Sequence, residues 1–342
     1  MLLFCCCKLR AFLYHQMPRR RVPRHIYHHH KMRYFFLFIA IALTISTKAE
    51  IALVAILSHG DQITTFQSSN AFAQAVAAAE NGDVITLSSG SFTATDITKN
   101  LIIRGAGMMP SQNPTIISGD FNIKIDTSAP GDLSFEGIYN NNRILLYKAN
   151  IITFLKCNLN SIGYDYTYKD GVVNDIKILQ CFIQEFRNNT NGGNIVNSYV
   201  KDFDNGTSTV NATNCIIRSS KNTNFRNCII TLAPSAATSD GDSSSTYSYC
   251  ISNRCNFRYS PTGKNECHTE IENFFKEGTD CYELKDEYAT RFLGSDGTQV
   301  GIHGGALPFD PITTSLKIKK FSVASRTTAD GKLPIEIEID GN

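Results

Sequence analysis

No stretch of this 342-residue chain stays apolar for the roughly 20 residues that a helix needs to cross a bilayer. The longest such run, YFFLFIAIALTI at 34–45, follows Met32-Arg33 and gives way to Ser46-Thr47-Lys48-Ala49. A basic start, a short apolar run and small residues at the −3 and −1 positions (Thr47, Ala49) predict a secretory signal peptide over 32–49. IALVAIL at 51–57 would lengthen the run into an uncleaved anchor, but Glu50 interrupts it. Acids are absent from 1–31, which instead hold seven Lys/Arg and five of the eight His. Lying ahead of a signal peptide, this tract reads as an extension upstream of the true start at Met32, rather than as a His-rich metal tract or a basic nucleic-acid arm. Without residues 1–49 the chain keeps 24 Lys/Arg against 31 Asp/Glu, a balance of −7. An exported, mildly acidic protein is expected, in the periplasm, on the cell surface or released. It has no stable membrane span after cleavage and no charge basis for binding nucleic acid.

Helices long enough for βαβ crossovers are also missing. Only NAFAQAVAAAENGD (70–83) spaces apolar residues at helical intervals (Phe72, Ala75, Val76, Ala79), with Asn70 placed to cap it and Gly82 to stop it. After it come short strands rich in Val, Ile, Leu and Phe: VITL (84–87), LIIRG (101–105), TIISG (115–119), NIKID (122–126) and LSFEGI (133–138). This pattern predicts an all-β chain. From 133 a unit recurs in which apolar residues flank a small or Cys position, at Ile138, Cys157, Cys181, Ser198, Cys215, Cys228 and Cys250. The intervals of 19, 24, 17, 17, 13 and 22 residues lie mostly near the length of a small solenoid unit. If each turn of chain lays a strand on the last, equivalent side chains stack about every 4.8 Å, and inward positions must be small or apolar. Cys157, Cys181, Ser198, Cys215 and Cys228 are thus expected to form an inward structural ladder, and the Asn before Ser198, Cys215 and Cys228 to hold the bends.

The segment AFAQAVAAAENGDVITLSSGSFTATDITKNLIIRGAG (71–107) resembles the opening unit of the right-handed parallel β-helix, or pectate-lyase-like, superfamily. FLGSDGTQVGIHGG (292–305) resembles the tail of exported bacterial β-helix proteins of uncertain function. The resemblance implies a β-helix over 50–305 with a capping helix at about 70–80, followed by a 306–342 extension with strands FSVAS (321–325) and LPIEIEI (333–339). Many members cleave acidic polysaccharides, the lyases with a base, a cation or Ca²⁺, and carboxylates that hold the metal.

The hydrolase motifs of that superfamily (Asn-Thr-Asp, Asp-Asp, Gly-His-Gly, Arg-Ile-Lys) are absent, and Gly301-Ile302-His303-Gly304-Gly305 reads as a turn. For a lyase, Lys201, Asp202, Asp204 and Arg218 are the candidate catalytic group, against the plainer reading of solvated surface charge. No acidic pair recurs at the repeat interval, so Ca²⁺ is implied only if the chain is a lyase. Tyr164, Tyr166 and Tyr168 alternate in YDYTY and are candidate ligand-binding aromatics, with Tyr139, Tyr147 and Tyr199 as further candidates. No C-x2-C pair exists, the nearest being Cys250 and Cys255, so no metal site is expected. Cys157, Cys181, Cys215 and Cys228 are expected as free interior thiols, and disulfides are expected among Cys250, Cys255, Cys267 and Cys281, with Cys267–Cys281 or Cys250–Cys255 both open. Two functions fit: a non-catalytic exported module that binds glycans or partner proteins, and a polysaccharide lyase acting on uronic-acid glycans by β-elimination.

Overall fold

The computed structural model describes residues 53–163, 173–188, 190–205, 209–218, 222–231, 245–253, 264–278, 282–313, 317–323 and 335–340. Strands dominate these residues, and most pair in parallel. A first stack begins with Val84–Leu87 and continues through Ile102–Arg104, Leu133–Glu136, the end of Ile138–Leu155, Val173–Leu179, Gly193–Val196, Val210–Thr213, Thr223–Arg226 and Thr246–Ser248. In-register pairing lines up Ile85, Ile103, Phe135, Phe154, Ile178, Ile195, Ala212, Phe225 and Tyr247 in one column. All but Tyr247 are buried, and aromatic neighbours lie face to face, with Phe135 and Phe154 centroids 5.3 Å apart and Phe225 and Tyr247 5.2 Å apart.

A second stack runs from Gly90–Thr93 through Thr115–Ser118, the starts of Ile138–Leu155, Asn158–Gly163, Phe182–Asn188 and Tyr199–Asn205, and then Ile216–Ile217, Ile229–Ile230, Ile251–Ser252 and Glu266–Cys267. A shorter third stack holds the buried column Phe121, Ile144, Ile162, Phe186 and Phe203. The 18-residue strand Ile138–Leu155 passes through all three stacks and is a complete rung. One continuous apolar cluster lies between the stacks. Its Val, Ile and Phe content follows from geometry, because identical positions on successive rungs are near neighbours and branched or aromatic side chains pack well there.

From Phe135 to Tyr247 the first-stack column advances by 19, 24, 17, 17, 13 and 22 residues, the same intervals as the recurring Cys and Ser positions. The 13-residue rung is short because only 218–222 separate Ile217 from Thr223, whereas the preceding rung runs on through Tyr199–Asn205 into the third stack.

The first end of the core is closed by β1 (Val54–His59), which adds antiparallel to β3 (Val84–Leu87), by β2 (Gln62–Gln67), which pairs with β1, and by α1 (Ala71–Ala78). Ala71, Phe72, Ala75 and Val76 of α1 are buried. The helix stops at Ala78, well before Gly82, because Ala79 is extended and the Lys99 ammonium takes the carbonyls of Val76, Ala77 and Ala79 at 3.1, 3.0 and 2.5 Å. Asn70 makes no side-chain capping bond, contrary to the sequence expectation. At the other terminus Lys317–Val323 and Ile335–Asp340 form a two-stranded antiparallel sheet whose register sets Lys317 against Asp340 and Lys320 against Glu338.

Phe154 touches both neighbours in the buried column and has no exposed surface. Phe154→Ala is expected to cost about 3–5 kcal/mol, read from the shift of a urea unfolding midpoint.

Candidate functional site

From Gly137 onward, each rung passes from the first stack to the second through one residue with left-handed backbone. These residues are Gly137 (φ 66°), Lys156 (50°), Gln180 (53°), Asn197 (47°), Asn214 (53°), Asn227 (55°) and Tyr249 (55°). Asn tolerates this conformation better than most residues, which accounts for its recurrence here. The next residue in each rung turns into the core: Ile138, Cys157, Cys181, Ser198, Cys215, Cys228 and Cys250, all buried.

The thiols and the hydroxyl of this column play the same part. Cys181 Sγ lies 3.2 Å from Leu179 O and 3.4 Å from Phe154 O, and accepts from Cys157 N at 3.4 Å. Ser198 Oγ donates to Val196 O at 2.8 Å and accepts from Cys181 N at 3.0 Å. Cys228 Sγ lies 3.1 Å from Arg226 O and accepts from Cys215 N at 3.4 Å. Thr115, one rung before Ile138, supplies its hydroxyl to Ser88 O and Ala106 N in the same way. A small donor–acceptor side chain at this corner therefore satisfies main-chain groups that face the core. Cys157, Cys181, Cys215, Cys228 and Cys250 are free thiols. Burial pushes the thiols of Cys157, Cys228 and Cys250 well above their ordinary range. The free Cys250 rules out a Cys250–Cys255 bond. Cys267 is disulfide-bonded, and Cys255 and Cys281 lie outside the described residues.

Asn227, Asn197, Gln180 and Lys156 turn their side chains the other way, onto the segment 294–313, which runs back across the rungs. Asn227 accepts from Ser295 N at 2.9 Å and donates to Asp296 Oδ2 at 3.3 Å. Asn197 donates to Ile302 O and Gly304 O at 2.8 and 2.7 Å. Gln180 reaches Leu307 O and Pro308 O at 3.2 and 2.8 Å. Lys156, buried along its stem, reaches Ile312 O at 2.5 Å and Asp310 at 3.4 Å. At Gly137 a side chain would meet Thr313 Cγ2 at 2.4 Å, so only glycine fits under the segment's end. Asn214 is buried at the same corner with its Oδ1 unpartnered.

This return segment, with residues 271–278 and 282–292 before it, covers the outer face of the second stack. Phe182, Ile216, Ile229 and Ile251 point away from the main core, yet they are buried beneath Ile271, Phe274, Leu284, Phe292, Val300, Ile302 and Phe309. Tyr199, a candidate sugar-stacking aromatic, is stacked on Tyr282 at 4.2 Å in this layer, and burial with the Tyr282 hydroxyl pushes its phenol above the ordinary tyrosine range. The half-buried Tyr199 thus packs within this layer. Tyr164, Tyr166 and Tyr168 lie outside the described residues. The 301–305 segment is a turn, closed by Gly304 N donating to Gly301 O at 3.0 Å, and the His303 ring packs edge-on to Phe309.

Of the candidate catalytic group, the structure brings Arg218 and Asp202 together at 3.6 Å, both partly exposed. Asp202 and Asp204 lie across from Glu185 and Arg187 on the preceding rung, and Glu185 and Arg187 form an ion pair with each other. Lys201 is half-buried on the same strand. Among the described residues no group of three or more His, Cys, Asp and Glu is placed to hold a metal ion.

A surface that sequence reasoning missed lies on the outer face of the first stack. Register aligns Thr153, Lys177, Asn194, Asn211, Asn224 and Thr246 in one column. Asn211 donates to Asn194 at 3.4 Å, Asn224 to Asn211 at 3.0 Å and Thr246 to Asn224 at 2.8 Å. A second run links Asn191 to Asn174 and Asn174 to Asn150 at 3.2 and 3.1 Å. Beside the first column stand the partly exposed Leu155, Leu179 and Val196. A carboxamide has two donor hydrogens and an acceptor oxygen with two lone pairs, so a ladder that uses one of each leaves one N–H and one lone pair per rung for solvent or a ligand. The signal was the unit N-x-x-N-[SC] at 194–198, 211–215 and 224–228.

No protein-family model, curated protein or solved structure matches the chain.

Cys228→Ser, which copies Ser198, is expected to fold with little loss, whereas Cys228→Ala leaves the Cys215 N–H without its acceptor and costs about 1–3 kcal/mol in a denaturant titration. Asn197→Ala strands two carbonyls of the return segment, and limited proteolysis is expected to cut within 294–313 several-fold faster than in the parent protein, with the rest of the digest unchanged.

Proposed function

We propose that the rungs form a right-handed parallel β-helix of the pectate-lyase-like kind, and that the chain is an exported, non-catalytic module binding a glycan or a protein surface. The observation that carries the binding role is the hydrogen-bonded amide column Asn194–Asn211–Asn224, repeated at the strand spacing of about 4.8 Å on an outer face. Repeating, uncharged donor–acceptor pairs beside an apolar strip suit a linear chain of hydroxyl-bearing units, and two or three rungs engaged at once multiply weak contacts. The second stack is a poorer platform, because its outer face is occupied by the chain's own Phe274, Leu284, Phe292, Ile302 and Phe309. Export is supported by the apolar run and small residues at 34–49 and by the disulfide-bonded Cys267, which suits an oxidising compartment.

The test is a glycan and cell-wall binding screen with the parent protein and an Asn194→Ala/Asn211→Ala double variant. A ligand of the parent is expected to bind the double variant at least about tenfold more weakly, or about 1.4 kcal/mol, with unchanged circular dichroism. In parallel, ultraviolet absorbance of unsaturated uronates is followed on acidic polysaccharides. Product formation would establish the lyase reading and end the non-catalytic one.

A further inference from the structure

Among the described residues, the first stack ends on its N-terminal side in an open strand. β2 pairs with β1 alone among the described residues, and five of its six residues are exposed, Ile63 at 72%. Val54 directs its carbonyl to Ser88 N at 2.9 Å, on the β3 side. By the alternation of an antiparallel ladder, Ala55, Leu57 and His59 then bond to Phe66, Thr64 and Gln62. The main-chain N–H and C=O groups of Ile63, Thr65 and Gln67 are left aimed at the open edge. Soluble proteins blunt such edges with lysine, proline or a bulge, and the sequence QITTFQ carries none of these and no charge of either sign.

We propose that β2 pairs antiparallel with β2 of a second copy, about a two-fold axis perpendicular to the sheet and centred on Thr64 or Thr65. The free groups fit this partner in particular. Pairing about Thr64 opposes Ile63 and Thr65 of the two copies, and pairing about Thr65 opposes Ile63 and Gln67. In both registers the pairs placed to exchange hydrogen bonds are made of residues with unused main-chain groups, and no like charges meet. A second copy also removes the edge from both chains in one closed, isologous contact, which a lone peptide would not do. A perpendicular axis keeps faces on the same side, so the outer faces of both first stacks, each with its amide column, join in one sheet of doubled length. The dimer itself does not depend on those columns binding anything.

The experiment is light scattering behind gel filtration, on the purified protein across a hundredfold concentration range, beside Thr65→Pro and Thr65→Lys. Proline at 65 removes an N–H that the single chain does not use, so folding is expected to be retained in a circular dichroism melt. The expected result is a two-chain particle for the parent and a single chain for both variants. A parent that stays monomeric throughout, a dimer that survives both substitutions, an open-ended polymer, or a particle holding a different chain would each overturn the proposal. The readout involves no ligand, so a failed binding screen and a failed dimer are separate results.

Discussion

The corner between the first and second stacks is the constraint on which the rest depends. A chain that lays strand on strand must turn sharply at the same place in successive rungs, and from Gly137 onward it does so with a single left-handed residue. That backbone choice fixes two side-chain directions at once. The left-handed residue points out, and the one after it points in. The inward position must be small and able to serve the main-chain groups exposed by the turn, which Cys and Ser do and Ile138 does only as a filler. The outward position must tolerate positive φ, and at Asn197, Gln180 and Lys156 it also offers a donor to the carbonyls of the return segment.

The same corner accounts for the two-faced character of the second stack. Immediately after it, Phe182-Ile183, Ile216-Ile217 and Ile229-Ile230 are apolar at consecutive positions. A strand with one wet face alternates, and a strand that is apolar at every position is covered on both sides. Ile183, Ile217 and Ile230 belong to the inner core, and Phe182, Ile216 and Ile229 to the outer one. The first stack keeps the alternation, with Ile195, Ala212 and Phe225 inside and Asn194, Asn211 and Asn224 outside, and so keeps a polar outer face.

Much of the stacked architecture was legible in the sequence because it repeats. The intervals between Ile138, the Cys positions and Ser198 are rung lengths, and the Asn before Ser198, Cys215 and Cys228 does sit at the bend. Lys156 and Gln180 at the same bend were not recognisable, since their fitness comes from neighbours far along the chain rather than from intrinsic left-handed preference. The layer over the second stack escaped for the same reason: contacts such as Asn197 to Ile302 join residues 105 apart in sequence, and no local pattern encodes them. Tyr199 looked like a sugar platform because an aromatic on an outer strand face is the same letter whether it meets solvent or Tyr282. The amide columns were readable in N-x-x-N-[SC], but only once the first Asn of the unit was given a role separate from the second.

The return segment changes how the array of rungs can come apart. Rungs that touch only their neighbours fray from either end, one at a time, with stability adding up locally. Here a single strip of chain is fastened at Asn227, Asn197, Gln180 and Lys156 and lies close over Gly137, so rungs made at widely different moments of synthesis share one fastener. The early rungs acquire it only after residue 313 has been made, and losing any middle rung releases contacts on both sides of it. Opening is therefore expected to be all-or-none over this span, with slow closure set by the long loop that must be drawn back, and amide protons from rung 137 to rung 227 exchanging as one cooperative block.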